Sequence, residues 1–193
     1  IFAIHIMREM KAAIITIGDE ILIGQTVDTN SAWIGSELSK RGFDVFRIIS
    51  VHDAKDDILY AINDVQGKCD VVLVTGGLGP TSDDITKPVL CEYFNTRLVE
   101  NSEVLGMIEE RIRRRNNLMN ENNRKQSHVP ESCKVLTNAR GTAPGMWFEK
   151  EGTIFVSMPG VPAEMKYIMT EHVIPELNKD RKSTRLNSSH VSQ

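Results

Sequence analysis

Hydrophobic and polar positions along this chain follow two recurring patterns. Two continuous apolar runs, at 12–17 and 71–75, predict strands that are covered on both faces, and the run at 45–51 predicts a further strand. After each run, apolar residues recur every three or four positions, as on one face of a helix. Because strands and helices alternate, the first half of the chain predicts an α/β fold with a mostly parallel sheet and helices on both faces.

The predicted helices begin at polar residues, and the first two end at glycines. The first starts at one of the N-cap candidates in 28–31 and runs to 40, and the second spans 53–66. Gly42 and Gly67 follow these helices and suit helix C-termini. A third helix over about 83–94 places Ile85 and Val89 on its inward face.

The second half of the chain predicts a long polar helix, followed by an antiparallel addition to the sheet. Helical spacing extends over 102–126, and a short strand follows at 134–138. The patterns at 146–149 and 153–158 predict a hairpin around Gly152. A final helix opens at Pro162, and Pro175 should kink or end it.

Both ends of the chain depart from these patterns. Residues 1–7 are apolar but lack the basic segment and cleavage site of a signal peptide, so we predict that residues 1–9 are an extraneous extension. Residues 180–193 are rich in Ser, Asn and Arg without an apolar period, and we predict a disordered or non-native tail. One domain over 10–179 accounts for the rest of the 193 residues.

Composition narrows the expected partners and compartment. The net charge is -3, so the overall charge does not favour binding to nucleic acid or to an anionic membrane. No apolar run has the length of a membrane span. The chain has three cysteines, Cys69, Cys91 and Cys133, and no two of them have the C-x-x-C spacing. Their strand or helix contexts favour burial over reactivity, and we expect a reducing cytoplasm rather than a disulfide framework.

One local run of charge departs from this balance. Four arginines crowd the long polar helix, at 111, 113, 114 and 115. Such a run is typical of a solvated helix face, and a phosphate contact is the less favoured alternative.

Three strand-to-helix loops carry the candidate chemistry, at 18–31, 75–84 and 158–164. Because parallel strands end at one edge of their sheet, we expect these loops to meet although they are distant in sequence. Each loop contributes acids. They are Asp19, Glu20, Asp28, Asp83, Asp84 and Glu164.

Most of these acids have an ordinary structural explanation. Carboxylates are favoured in first helical turns, and Thr81-x-x-Asp84 fits a capping box. Asp83 and Asp84 are the exception, because two adjacent side chains cannot both cap one helix. A carboxylate directed into a phosphate-binding cleft would repel its ligand, which predicts a divalent metal ion between them.

The middle loop contains the glycine cluster Gly76-Gly77-x-Gly79. Positive φ explains one or two such glycines, and close approach of a ligand to the backbone explains three. A glycine turn before a helix can direct backbone N–H groups at a phosphate. The cluster has neither the Gly-Lys-Ser/Thr of a P-loop nor the third glycine of G-x-G-x-x-G, so the residues predict an anion-binding α/β domain with a metal.

Six motifs in order resemble the N-terminal domain of the CinA family (competence/damage-inducible protein A). They are IGDEIL at 17–22, GQT with DTN at 24–30, TGGLGPTSDD at 75–84, ENNRKQ at 121–126, GTAPG at 141–145 and MPGVPAEM at 158–165. The resemblance implies a three-layer α/β/α sandwich of the molybdopterin-binding, MoaB/Mog-like type. It also implies a metal-dependent hydrolase that splits ADP-ribose into AMP and ribose 5-phosphate. Related full-length proteins add a nicotinamide mononucleotide deamidase domain, for which this chain has no room.

The resemblance assigns provisional roles at these motifs. Asp83, Asp84 and Glu20 would be catalytic and would hold Mg, Mn or Co, which activates a water. The diphosphate would lie on the backbone of Gly76, Gly77 and Gly79 and on the helix N-terminus at Thr81 and Ser82. Arg124 and Lys125 would neutralise the leaving phosphate, and Asn30 and Thr142 would contact a ribose or phosphate edge. Glu164 would bind metal, act as a base or cap its helix.

Two other functions fit the same resemblance. The first is a molybdopterin-binding or adenylylating protein of molybdenum cofactor synthesis, although the loop reads Gly-Gly-Leu-Gly-Pro rather than Gly-Gly-Thr-Gly. The second is a non-catalytic nucleotide-binding module linked to competence. A small-molecule nucleotide is the expected substrate, and self-association is expected because related folds form homo-oligomers.

Overall fold

A computed structural model describes residues 9–78 and 85–179 of the chain. The predicted tail at 180–193 and all but the last residue of the predicted extension at 1–9 lie outside these ranges. The strands are β1 Met10–Ile17, β2 Phe43–Val51, β3 Val71–Thr75, β4 Leu98–Glu100, β5 His128–Pro130, β6 Lys134–Leu136, β7 Gly145–Lys150 and β8 Thr153–Met158. The helices are α1 Asp19–Leu22, α2 Thr29–Ser39, α3 Lys55–Val65, α4 Thr86–Tyr93, α5 Ser102–Arg114, α6 Glu121–Lys125 and α7 Pro162–Ile168.

Six strands form the central sheet, in the order β2-β1-β3-β8-β7-β6. β2, β1, β3 and β8 are parallel, whereas β7 pairs antiparallel with both β8 and β6. The predicted mostly parallel sheet and its antiparallel hairpin are therefore confirmed. The chain leaves β1 towards β2 on one side and returns to β3 on the other, so the carboxyl ends of β1 and β3 lie at a topological switch point.

Helices cover the two faces of the sheet and make three layers. On one face, Ile15 of β1 packs in a core with residues of α3 and α4 such as Ile62 and Leu90. On the other face, Ile14 packs in a core with residues of α2 and α7 such as Ile34. Successive β1 residues are thus buried on opposite faces, which explains why the strands are apolar runs rather than alternating patterns.

The predicted helix over 102–126 is wrong in its middle. α5 ends at Arg114, Asn116 takes a positive φ of 53°, and α6 begins at Glu121. The interruption lies in an Asn-rich stretch, where side chains compete for backbone hydrogen bonds and tolerate left-handed conformations. The chain then enters β5, which pairs antiparallel with β4 in a separate two-stranded sheet that the hydrophobic pattern did not predict.

Pro175 does not end the last helix. α7 widens into a π-helical turn over Met169–Val173 and α-helical structure resumes at residues 174–179. Proline lacks an amide hydrogen and its ring crowds the carbonyl four residues earlier, here that of Glu171. That carbonyl lies inside the π turn, so the wider turn carries the helix past the proline.

The cysteines are buried or partly buried and free of disulfides. Burial raises the pKa of the Cys133 thiol to about 12 and that of Cys69 to about 11. These thiols therefore remain protonated near neutral pH, as predicted, although Cys69 and Cys133 lie in loops beside strands rather than in a strand or helix. Within the part of the chain that the structure describes, no helix has the length and apolar character needed to cross a membrane.

Candidate functional site

A cleft opens at the carboxyl ends of β1, β3 and β8, with a cavity volume of about 520 Å³. The loops after these strands line it together, so the expectation that distant loops meet at one sheet edge is confirmed in the geometry. The lining includes Gly18, Glu20, Asp28 and Asn30 from the first loop, Gly76 and Gly77 from the second, and Gly160 and Glu164 from the third.

Asp28 acts as the N-cap of α2. One carboxylate oxygen accepts a hydrogen bond from the backbone N–H of Ser31 at 2.9 Å. The other accepts from the Ser31 hydroxyl at 2.6 Å and from the Thr16 hydroxyl at 2.8 Å. Thr16 lies in β1, so this carboxylate fixes α2 to the strand beneath it. For Asp28, the structural explanation of a first-turn acid is sufficient.

Asn30 joins the three loops. Its side-chain amide nitrogen donates to the Gly160 carbonyl at 2.7 Å and to the Thr75 hydroxyl at 3.2 Å. The Thr75 hydroxyl in turn donates to the Pro159 carbonyl at 3.1 Å. Because the Gly160 carbonyl can only accept, it fixes which end of the amide faces it. The Asn30 Oδ1 is buried beside the cleft and has no hydrogen-bond partner among the described residues.

Gly76 and Gly77 are required by the fold itself. Both have positive φ, 109° and 63°. A Cβ on Gly76 would lie 2.1 Å from the Ile17 carbonyl oxygen, and one on Gly77 would lie 2.0 Å from the Thr86 hydroxyl. The Gly76 N–H also donates to the Met158 carbonyl at 3.1 Å, so this donor is already engaged, and a phosphate contact of the Gly76 backbone stays a prediction. The Gly77 N–H makes no hydrogen bond to another described backbone group.

Glu164 and Thr142 form the wall opposite the first loop. The Glu164 carboxylate accepts a hydrogen bond of 2.6 Å from the Asn138 side-chain amide. It also occupies the space beside Gly141, where a Cβ would lie only 1.9 Å from a carboxylate oxygen. Thr142 lines the cleft next to this contact. Both residues therefore border the cavity, and Glu164 holds the loop that carries Thr142.

The described lining of the cleft is acidic. Glu20, Asp28, Asp53 and Glu164 face it, and no Lys or Arg belongs to its lining among the described residues. In the ranges 9–78 and 85–179, no three His, Cys, Asp or Glu side chains form a cluster able to hold a metal ion. The predicted residues Gly79, Thr81, Ser82, Asp83 and Asp84 lie outside the described residues.

Arg124 and Lys125 are not brought into the cleft. Arg124 pairs with Glu100 at 2.7 Å, and Lys125 lies 3.6 Å from Glu121 on the exposed side of α6. The next residue, Gln126, is buried and lines the cleft instead. Its backbone carbonyl accepts a hydrogen bond from the buried Lys87 ammonium at 3.2 Å. Sequence reasoning missed Gln126 and Asp53, and position at the end of ENNRKQ was the only available signal for Gln126.

Comparison with known proteins places this geometry in a family. The profile described as "Probable molybdopterin binding domain" matches residues 13–179. A solved CinA structure from Thermoplasma acidophilum is 33% identical, with a TM-score of 0.77, over 90% of this chain and 98% of that one. The chain belongs to the CinA family.

Two proteins described as CinA-like are also similar to this chain. The Flavobacterium psychrophilum protein is 52% identical over 87% of this chain, and the Cytophaga hutchinsonii protein is 47% identical over 93%. These matches cover only 40% and 42% of the two relatives, so the chain spans about two fifths of their length. Activities of the whole CinA proteins therefore do not transfer to it directly.

The CinA domain shares its fold with more distant proteins of cofactor synthesis. A molybdopterin biosynthesis protein from Mycobacterium abscessus is 18% identical, with a TM-score of 0.61 over 92% of this chain and 98% of that one. At that identity the likeness establishes the fold alone. The predicted MoaB/Mog-like three-layer architecture is thereby confirmed.

Proposed function

We propose that the cleft binds a phosphorylated small molecule of the molybdopterin class. The observation that carries this proposal is the convergence of three sheet-edge loops around one cavity, fixed by the hydrogen bonds of Asn30. Its volume of about 520 Å³ is typical of small-molecule sites. The family profile, with its molybdopterin-binding description, supports this ligand class.

The acidic lining makes a divalent cation part of the proposal. A phosphate beside Glu20 would be repelled, and no Lys or Arg is among the described lining residues. The described carboxylates do not form a preformed three-ligand metal site. Mg²⁺ in proteins is commonly held by one or two carboxylates together with ligand phosphates, so Mg²⁺, Mn²⁺ or Co²⁺ would enter with the ligand. Asp83 and Asp84 are the proposed further ligands.

The second candidate is hydrolysis of ADP-ribose to AMP and ribose 5-phosphate. The acidic cleft favours it, because carboxylates beside a bound diphosphate could take the proton of an attacking water. Water would form the new bond to phosphorus while the bridging P–O bond breaks. Glu20 is exposed at the cleft and is the proposed acceptor of that proton. The Gly77 N–H would donate to a phosphate oxygen.

The two candidates are separated by one set of measurements on the full chain. Fluorescence of the purified protein detects a retained pterin, and titration calorimetry with chromatography follows ADP-ribose binding and AMP release with Mg²⁺, Mn²⁺ or Co²⁺. A retained pterin without AMP release supports the molybdopterin proposal. Metal-dependent AMP release supports the hydrolase. Tight ADP-ribose binding without turnover under any metal supports the non-catalytic nucleotide module.

Variants test the residues on which each candidate depends. For the hydrolase, Glu20→Gln, Asp83→Ala and Asp84→Ala should each lower the rate of AMP release by at least about tenfold. Glu103→Gln is the matched control, because that acid lies in the first turn of α5 outside the cleft lining. Unchanged turnover in Asp83→Ala and Asp84→Ala would contradict the metal assignment. Absence of pterin, nucleotide binding and turnover would contradict the cleft as a ligand site.

A further inference from the structure

A second concavity lies on the other side of the loop that carries Asn138 and Gly141. It has a volume of about 350 Å³ and is formed where the end of α5 meets residues 138–141. We call it the arginine groove. Its lining comprises Met107, Glu110, Arg111, Arg114, Arg115, Asn138, Ala139 and Gly141. It contains three of the four arginines whose crowding in the sequence the cleft does not explain.

The arginine groove carries a net positive charge. Its side chains contribute three guanidinium groups and one carboxylate, and that carboxylate, Glu110, pairs with Arg114. Arg115 makes no ion pair with any described residue and is exposed. Arg140 projects from the adjoining loop and is also exposed. Cations at a helix C-terminus are favoured by the helix dipole, but the dipole does not require them to face a concave loop.

Arg111 is held in place without losing its charge. Its guanidinium donates to the Ala139 carbonyl at 3.0 Å and to the carbonyl of Arg140. These acceptors are neutral, so they orient the fork and leave its positive charge uncompensated. A guanidinium has five N–H donors in fixed geometry, and the donors not used here suit a planar pair of phosphate oxygens.

The loop that faces Arg111 is itself ordered. The Asn138 side-chain oxygen accepts hydrogen bonds from the backbone N–H groups of Arg140 and Gly141 at 2.9 and 3.0 Å. Its amide nitrogen donates to the Ala143 carbonyl at 2.8 Å. Asn138 is almost fully buried. The groove therefore has one wall fixed by a buried residue and another on which the Arg111 guanidinium is oriented, which lowers the entropic cost of binding an anion.

We propose that the arginine groove is a second anion-binding site, which takes the phosphate or diphosphate group of a small molecule without a metal ion. Arg111 and Arg115 provide the charge-assisted hydrogen bonds. The groove is positively charged whereas the described lining of the cleft is acidic. The proposal for the groove does not depend on the ligand proposed for the cleft. A small phosphorylated molecule fits a concavity of about 350 Å³ better than a nucleic acid, which needs an extended positive track.

Calorimetric titration of the full chain with inorganic pyrophosphate, in the presence of EDTA, tests this site. Removing the metal leaves the acidic cleft repulsive to the probe. Arg115→Gln and Arg111→Gln should each raise the Kd by about tenfold, the value of a lost charged hydrogen bond. Arg113→Gln is the matched control, since it makes the same charge change two positions away but does not line the groove. Its Kd should change by less than about twofold.

Further arms separate the alternatives. Arg111→Lys keeps the positive charge but loses the paired N–H donors of the guanidinium. This variant should bind pyrophosphate more weakly than the wild type and more tightly than Arg111→Gln. A fall in affinity that is equal for Arg113→Gln and Arg115→Gln would overturn the proposal in favour of diffuse attraction to the helix end. Absence of pyrophosphate binding, or tighter binding of oligothymidylate than of pyrophosphate, would also overturn it. Because the assay excludes metal, it can fail while the cleft still binds its ligand.

Discussion

The cleft and the arginine groove border the same loop but are built in different ways. The cleft is made of main chain: strand ends, two glycines with positive φ and carbonyls joined by Asn30. The groove is lined by long side chains from the C-terminal half of α5, which face the loop at 138–141. The first is acidic and depends on the sheet topology, whereas the second is basic and depends on a local run of arginines.

This difference indicates which substitutions are costly. A residue that sets main-chain geometry in the cleft also holds strands together, so its loss should cost stability before it costs binding. A groove arginine is partly solvated, so its loss should cost binding alone.

Gly76→Ala should produce the largest effect. The new Cβ would lie 2.1 Å from the Ile17 carbonyl oxygen, which is a backbone atom and cannot move aside as a side chain could. The φ of residue 76 is 109°, which an alanine rarely adopts. We expect a loss of about 3 kcal/mol or more in the free energy of unfolding, measured by urea denaturation. Gly106→Ala is the control, because its Cβ meets nothing within 4 Å in the middle of α5. It should stabilise the chain by about 0.5 to 1 kcal/mol. Equal stability of the two variants would show that the cleft does not depend on this approach.

Asn138→Ala should affect both regions, because this side chain orders the loop between them. It loses hydrogen bonds to two backbone N–H groups, the Ala143 carbonyl and the Glu164 carboxylate. We expect a loss of about 2 to 4 kcal/mol in the free energy of unfolding, together with weaker pyrophosphate binding. Asn122→Ala, at an exposed position of α6, should change stability by less than about 0.5 kcal/mol. Unchanged pyrophosphate affinity in Asn138→Ala would separate the loop from the groove.

Alkaline pH should weaken the fold through Cys133, which is not among the described lining residues of either cavity. Burial raises the pKa of Cys133 from 9.0 to about 12. Above pH 9.0 the unfolded chain releases this proton while the folded chain retains it. The free energy of unfolding should therefore fall as pH rises from 9.0 towards 12, and denaturation series should show a shallower fall for Cys133→Ala. The same slope in both proteins would assign the loss to other groups.

Arg124→Gln should have the smallest effect. Arg124 forms an exposed pair with Glu100, and such pairs contribute about 0 to 1 kcal/mol. Because the residue does not line the cleft, the affinity for a cleft ligand should change by less than about twofold. Titration calorimetry with ADP-ribose and metal measures this affinity. Gln126→Ala is compared with it, because Gln126 does line the cleft. A larger loss in Arg124→Gln than in Gln126→Ala would restore Arg124 as a ligand contact.

The sheet, and the edge at which its loops meet, could be predicted from the sequence. Strands buried on both faces are apolar throughout, and parallel strands must end together, so the meeting of loops as distant as those of Asn30 and Gly160 followed from topology. The pairing of β4 with β5 could not be predicted, because each strand has three residues and their partnership is set by tertiary packing.

The roles of individual side chains were harder to predict than the region of the fold in which they lie. Arg124 and Lys125 belong to a motif that reaches the cleft, but the phase of the short helix α6 turns them outward and turns Gln126 inward. Hydrophobic periodicity cannot fix that phase in a five-residue helix with no buried residue. Likewise, the glycine pattern indicated a close approach but not its partner, which for Gly76 is the carbonyl of Ile17 rather than a ligand.

The π-helical turn before Pro175 also sets the register of the last apolar stripe. Met165, Ile168 and Met169 face the core, and a regular helix would continue that stripe at 172 and 176. The buried residues are instead Val173, Ile174 and Leu177, so Val173 and Leu177 each lie one position later than 172 and 176. The turn thus behaves as a one-residue insertion that the helix absorbs without unwinding. Deleting one residue from 169–173 would restore regular winding but rotate the final turns, and Leu177 would leave the core for solvent.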